Sequence, residues 1–167
     1  MNTTLAQISF LELLSINGHE AAKWQSWFEH QPSSLLDLPL DIAATKNVRE
    51  LVRHIFGVEL RNAQRLVGRE IVQYDALPMD TVARLFGVGA EARSLYRDYL
   101  ATATDADLAT VLEFPTRGGV VRASKRKVVL NGLLHGSRHW AQLATALRHA
   151  GHPTDWPHDL LFTDAIA

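Results

Sequence analysis

Apolar positions along this chain recur mostly at spacings of three and four. From about Thr4 to His30, the residues Phe10, Leu14, Ala21, Trp24 and Phe28 fall on one helical seam, with Asn17 as its only polar member. A polar residue in such a seam either fixes register or faces a polar pocket. A loop from Gln31 to Lys46 follows, broken by Pro32 and Pro39. Asn47, with Glu50 three residues on, then opens a second helix in the pattern of a capping box. Its buried face reads Val48, Leu51, Val52, Ile55, Val58, Asn62 and Leu66, and Gly68 marks its end. His54 and Arg61, seven apart, share the flank of that face.

A third helix is predicted from about Met79 to Thr104. Gly87 and Gly89 are its weak spot, each costing up to about 1 kcal/mol relative to alanine. The segments Ala109–Phe114 and Val120–Ala123, joined by the turn-rich Pro115-Thr-Arg-Gly-Gly119, read as a single short β-hairpin that must lie against the helices. Ser124 is a good N-cap for the last long helix, which runs to about His149 and stops at Gly151 and Pro153. One of its faces reads Leu133, Ser137, Trp140, Ala144 and Leu147, and a second reads Val128, Gly132, His135, His139, Gln142 and Ala146. That pattern predicts burial on two sides. The tail from His152 has room for one short helical turn. Four long helices with a hairpin before the last predict an all-α four-helix bundle, in one domain over residues 1–167.

Composition narrows the function. A net charge of -1 gives no bulk attraction to nucleic acid or acidic membranes, so neither is an expected partner. The chain has no cysteine, which excludes disulfides, thiolate metal sites and a cysteine nucleophile, and fits the cytoplasm. Its first residues lack a basic region followed by an apolar core, so no signal peptide is expected. No apolar run approaches the roughly 20 residues that span a bilayer.

The candidate chemistry lies in the last long helix. His135 and His139, four apart, sit one above the other on the same face, where neutral imidazoles can grip one transition metal. Spacing alone leaves a metal site and ordinary buried histidines both open. The residue after His135 is Gly136 where the H-E-x-x-H peptidases carry their glutamate, so that mechanism is not expected. His54 is the candidate third ligand, on the condition that the second and last long helices are neighbours with matched levels. His19 and His30 are expected at the surface, and no metal is expected at His149, His152 and His158. Arg117, Arg122, Lys125, Arg126 and Lys127 form a basic cluster that is either a solvated face or a site for a phosphate or anionic substrate.

Two stretches carry a resemblance. His135-Gly-Ser-Arg-His139-Trp-Ala-Gln142, followed by Leu147-Arg-His-Ala-Gly151, and Leu51-Val-Arg-His54-Ile-Phe-Gly-Val-Glu59 together resemble the DinB/YfiT-like superfamily over nearly the whole chain. The resemblance implies a bundle with a long connection between helices two and three. It implies a histidine triad, carried onto His54, His135 and His139, holding a divalent transition metal, zinc or nickel ahead of iron. Members with known activity include bacillithiol and mycothiol S-transferases and a thiol-dependent maleylpyruvate isomerase. Others are described as hydrolases, and many form homodimers. For this chain the resemblance implies a metal-dependent enzyme acting on a small-molecule substrate, with a low-molecular-weight thiol as a further cofactor. Asn17, Arg61 and Gln142 are candidates for its pocket or for contacts behind the ligands, Arg61 being placed to orient an anionic group. The alternative is a non-catalytic, stress-associated bundle that binds a ligand or dimerises, its metal site structural or empty. The family usually carries Arg-Gly-Gln after the second metal histidine of this motif. Here Trp140-Ala141-Gln142 stands instead, which leaves the ligands untouched and predicts different packing beside them.

Overall fold

The structure, a computed structural model, describes residues 8–42, 44–116 and 118–166. Residues 4–7 of the predicted first helix, and Arg117 of the basic cluster, therefore lie outside the described residues. The first helix, α1 (Phe10–Glu29), starts at Ser9, whose hydroxyl accepts from the Glu12 backbone N–H while the Glu12 carboxylate accepts from that of Ser9. A two-stranded antiparallel hairpin, β1 (Pro39–Ile42) and β2 (Thr45–Asn47), then leads into α2 (Val48–Leu66). After residues 67–81 comes α3 (Val82–Leu100), then the short α4 (Asp105–Ala109), the hairpin β3 (Val111–Thr116) and β4 (Gly119–Ser124), and finally α5 (Lys125–His149). A single 3-10 turn at Leu160–Phe162 is the one short helical element of the tail among the described residues. The chain is thus mostly helical with two small antiparallel hairpins, an all-α fold.

Several expectations are corrected. The sequence pattern predicts one hairpin, and there are two among the described residues. β1 and β2 are too short for alternation to reveal, and their turn places Ala44, not a glycine or asparagine, at φ 61°. The third helix is shorter than predicted at both ends. Thr81 caps its start by accepting from the Arg84 N–H, and residues 105–109, partly assigned to the hairpin by alternation, form a helical turn capped by Thr104. Glu50 completes only half a capping box: Asn47 accepts from the Glu50 N–H, but the Glu50 carboxylate accepts from Lys46, not from Asn47. The glycines of α3 do not weaken it visibly. A Cβ on Gly89 would collide with the Phe56 ring, so this glycine lets α2 and α3 approach closely.

α2 packs against α3 and α5, and α1 packs against the same two helices, leaving α1 and α2 diagonally opposed. Trp24, Phe56, Phe86, Tyr96, Leu51 and Ile55 are fully buried between them. Burial of each large apolar side chain contributes about 2–3 kcal/mol. Trp140 stacks on Trp24 with centroids 5.0 Å apart and lies edge-on to Phe56. The tryptophan that departs from the family pattern is therefore a core residue beside the histidines. α5 is not buried on two separate sides. Val128, Gly132, Gly136, His139, Leu143 and Leu147 lie on one broad buried stripe, while Ser137 and Gln142, predicted to face inward, are exposed.

Candidate metal centre

α2 brings His54, and α5 brings His135 and His139, to one place. The packing of these two helices satisfies the condition on which the third ligand rested. One ligand nitrogen from each ring lies within 4.8 Å of the others. The ring centroid of His54 is 4.9 Å from that of His135 and 5.0 Å from that of His139, and those of His135 and His139 are 4.6 Å apart. The Nε2 atoms of His54 and His135 stand 3.1 Å apart. Two nitrogens sharing one ion at about 2.0–2.1 Å keep a similar separation.

His139 is the most buried of the three. Its Nδ1 donates to Gln142 Oε1 at 2.8 Å, which fixes the tautomer and leaves the lone pair on Nε2. That Nε2 is buried and has no hydrogen-bond partner among the described residues. A buried polar atom without a partner is costly, and a metal ion is the partner this donor set suits. The protonation state suits it too. Burial above all, then His139, His54 and Arg138 nearby, pushes His135 down to about 3. Burial also lowers His139. Both rings are therefore neutral, as metal ligation requires.

The cluster borders two cavities. His54, Arg53, Arg61 and Tyr74 line a cavity of about 360 Å³. His135 opens on another of about 330 Å³, with Lys127, Asn131 and Arg138. Arg61 thus shares a cavity with His54, and Gln142 bonds to His139. Asn17 goes elsewhere. Its Nδ2 donates to Glu59 Oε1 at 2.9 Å and to the Leu133 carbonyl at 3.3 Å, inside the core.

Glu59 is the residue that reading the sequence missed. It is fully buried on α2, its Oε2 lies 4.0 Å from Arg93 Nη1, and Tyr96 Oη donates to its backbone carbonyl. A Cβ on Gly136 would stand 2.9 Å from Glu59 Oε1, so the carboxyl group reaches α5 at the residue after His135. Burial outweighs the help of Asn17 and Arg93 and raises Glu59 to about 7. A signal was available: Glu59 follows Ile55 by four and precedes Asn62 by three, on the buried seam. Among the other histidines, His19 is half-buried and not at the surface as expected, while His30 is exposed. His158 bonds to Glu20 at 3.0 Å and stacks on Trp24.

A sequence model of the DinB superfamily matches residues 12–143, a stretch that contains all three histidines and Gln142. The chain belongs to the DinB superfamily. None of the curated proteins matches it. Among the described residues, no helix is long and apolar enough to cross a membrane.

Proposed function

We propose that the chain is a metal-dependent enzyme acting on a small molecule, with His54, His135 and His139 holding one divalent transition metal, zinc or nickel ahead of iron. The observation that carries this reading is the buried Nε2 of His139, left without a partner beside two other imidazoles. The bound ion would supply Lewis-acid activation of water or of a thiolate near neutral pH. Gln142 holds the His139 ring in its ligating tautomer. Burial keeps His135 unprotonated. In this reading the four long helices form the bundle of the family, with residues 67–81 as its long connection. The cavities beside His54 and His135 support an open, catalytic site over the closed, structural one of a non-catalytic bundle. Thiol-dependent transfer and hydrolysis are the two reactions proposed for it.

The test is the metal content of protein purified without added metal, followed by assays with low-molecular-weight thiols plus an electrophile, and with ester and amide substrates. About one equivalent of zinc or nickel, and turnover in one of the two assays, is expected. Protein that neither carries nor takes up metal, and in which His54→Ala changes nothing, would sink the reading.

A further inference from the structure

A third and larger cavity, about 590 Å³, lies between α2, α5 and the β3–β4 hairpin. Its walls include Val58, Phe114 and Val128, and three cationic side chains reach it: Arg61, Arg65 and Lys127. No carboxylate lines it, and among the described residues none of the three has an ion-pair partner. The contrast with the neighbouring cations is direct. Arg122 pairs with Glu113, Lys125 with Asp107 and Arg126 with Asp105. Among the described residues of the basic cluster, Arg122, Lys125 and Arg126 are thus salt-bridged, while Lys127 lines the cavity with two arginines of α2.

Of those arginines, Arg65 is held in place. The Arg65 guanidinium lies 4.3 Å from the Phe114 ring centroid, and its Nη1 donates to Asn62 Oδ1 at 3.1 Å. The Nε atoms of Arg61 and Arg65 and the Nδ2 of Asn62 are buried donors without acceptors among the described residues. Placing like charges together without a counterion is unfavourable; burial and then Arg61 lower the pKa of Arg65. An anion would relieve this and accept from the orphaned donors.

The cavity adjoins those beside the histidines and shares wall residues with both. Val58 and Arg61 also line the cavity of His54, and Lys127 and Asn131 also line that of His135. Arg61 lies seven residues from His54 along α2, roughly 10 Å at 1.5 Å per residue. We propose that this cavity binds the anionic end, a carboxylate or phosphate on an apolar stem, of the molecule whose other end meets the three histidines. That second clause rests on the metal-site reading; the anion site itself does not.

Calorimetry on the full chain tests it with phenylacetate, phenyl phosphate and the neutral phenylacetamide. At least one of the anions is expected to bind about tenfold or more tighter than the amide, and the tighter of the two names the head group. The Arg61→Ala/Lys127→Ala double variant is expected to lose that preference, while Arg122→Ala/Arg126→Ala, an equal change of charge outside the cavity, keeps it. Equal binding of anion and amide, binding of neither anion at millimolar concentration, or an unaffected Arg61→Ala/Lys127→Ala variant would overturn the proposal. The comparison of anion with amide needs no variant to fold. It also needs no metal, so anion preference in protein that cannot take up metal would fail the metal reading alone.

Discussion

The three histidines and the Glu59 cluster both place polar groups between α2 and α5, yet their polar atoms are treated differently. Around Glu59 the protein supplies a hydrogen bond to one carboxyl oxygen and a facing cation for the other. Asn17 donates to the carboxyl group, Tyr96 to the backbone behind it, and Arg93 stands at 4.0 Å. Around the histidines, the protein supplies the outer contact, Gln142 on His139, and leaves the inner Nε2 unmatched beside cavities. The first pattern belongs to architecture, since complementary protein groups face one another there: Asn17 holds Glu59 Oε1, and Oε2, which has no hydrogen bond among the described residues, faces the Arg93 guanidinium. The second belongs to ligand binding, since three imidazoles converge there and the Nε2 of His139 finds no hydrogen-bond partner among the described residues. Titration separates them as well. The Glu59 carboxyl is raised to about 7, and the His135 imidazole is lowered to about 3. In each case burial favours the neutral form, but only the neutral imidazole thereby gains a lone pair for a metal.

The largest effect expected from this contrast is on the pH dependence of stability. With Glu59 at about 7 folded and 4.5 as its ordinary value, the native state holds a proton that the unfolded state has lost across that window. Stability therefore falls as pH rises from about 4.5 to 7 and stays low above, by up to roughly 3 kcal/mol. Urea unfolding of Glu59→Gln across that range should lack this slope, and metal binding should be unchanged. A Glu59→Gln variant that loses metal would erase the distinction between the two clusters.

Next in size is Gly132→Ala. A Cβ there collides with Tyr96 Oη, against the buried stripe of α5. Overpacking of this kind costs about 1–3 kcal/mol, against which alanine regains up to about 1 kcal/mol of helix propensity. A net loss in urea unfolding is expected, and a gain would show that Tyr96 can move without cost. An effect of comparable size, confined to metal binding at the other cluster, belongs to Gln142→Leu. Removing the acceptor on His139 Nδ1 should weaken metal binding about 10- to 100-fold while leaving unfolding nearly unchanged, because Gln142 is exposed. Metal competition with a chelator reads the first quantity and urea unfolding the second.

The residues that show these differences were unequally legible. Asn47 and Ser124 marked their helix starts in the sequence, because side-chain caps are local chemistry. The i,i+4 spacing of His135 and His139 placed them on one face, but only the packing of α2 on α5 could add His54. A glutamate in a helix usually reads as solvent-facing, which hides Glu59 in the sequence. Its partner Asn17 was visible as a polar break in an apolar seam, and the match between two such breaks on different helices is a tertiary fact. The two seams of α5 turned out to be one, since Gly132 and Gly136 admit Tyr96 and Glu59 to the centre of the stripe. Small residues carry no hydrophobic signal, so the pattern of large ones misplaced the face. The β1–β2 hairpin left no signal in seven strand residues, four in Pro39–Ile42 and three in Thr45–Asn47.

Metal titration of the metal-free protein, wild type beside His54→Ala, His135→Ala, His139→Ala and Glu59→Gln, tests the central claim most directly. The account predicts one zinc or nickel ion per wild-type chain and per Glu59→Gln chain, and a loss of about 100-fold or more in affinity for each histidine variant. A His54→Ala protein that binds the ion as tightly as the wild type would contradict it.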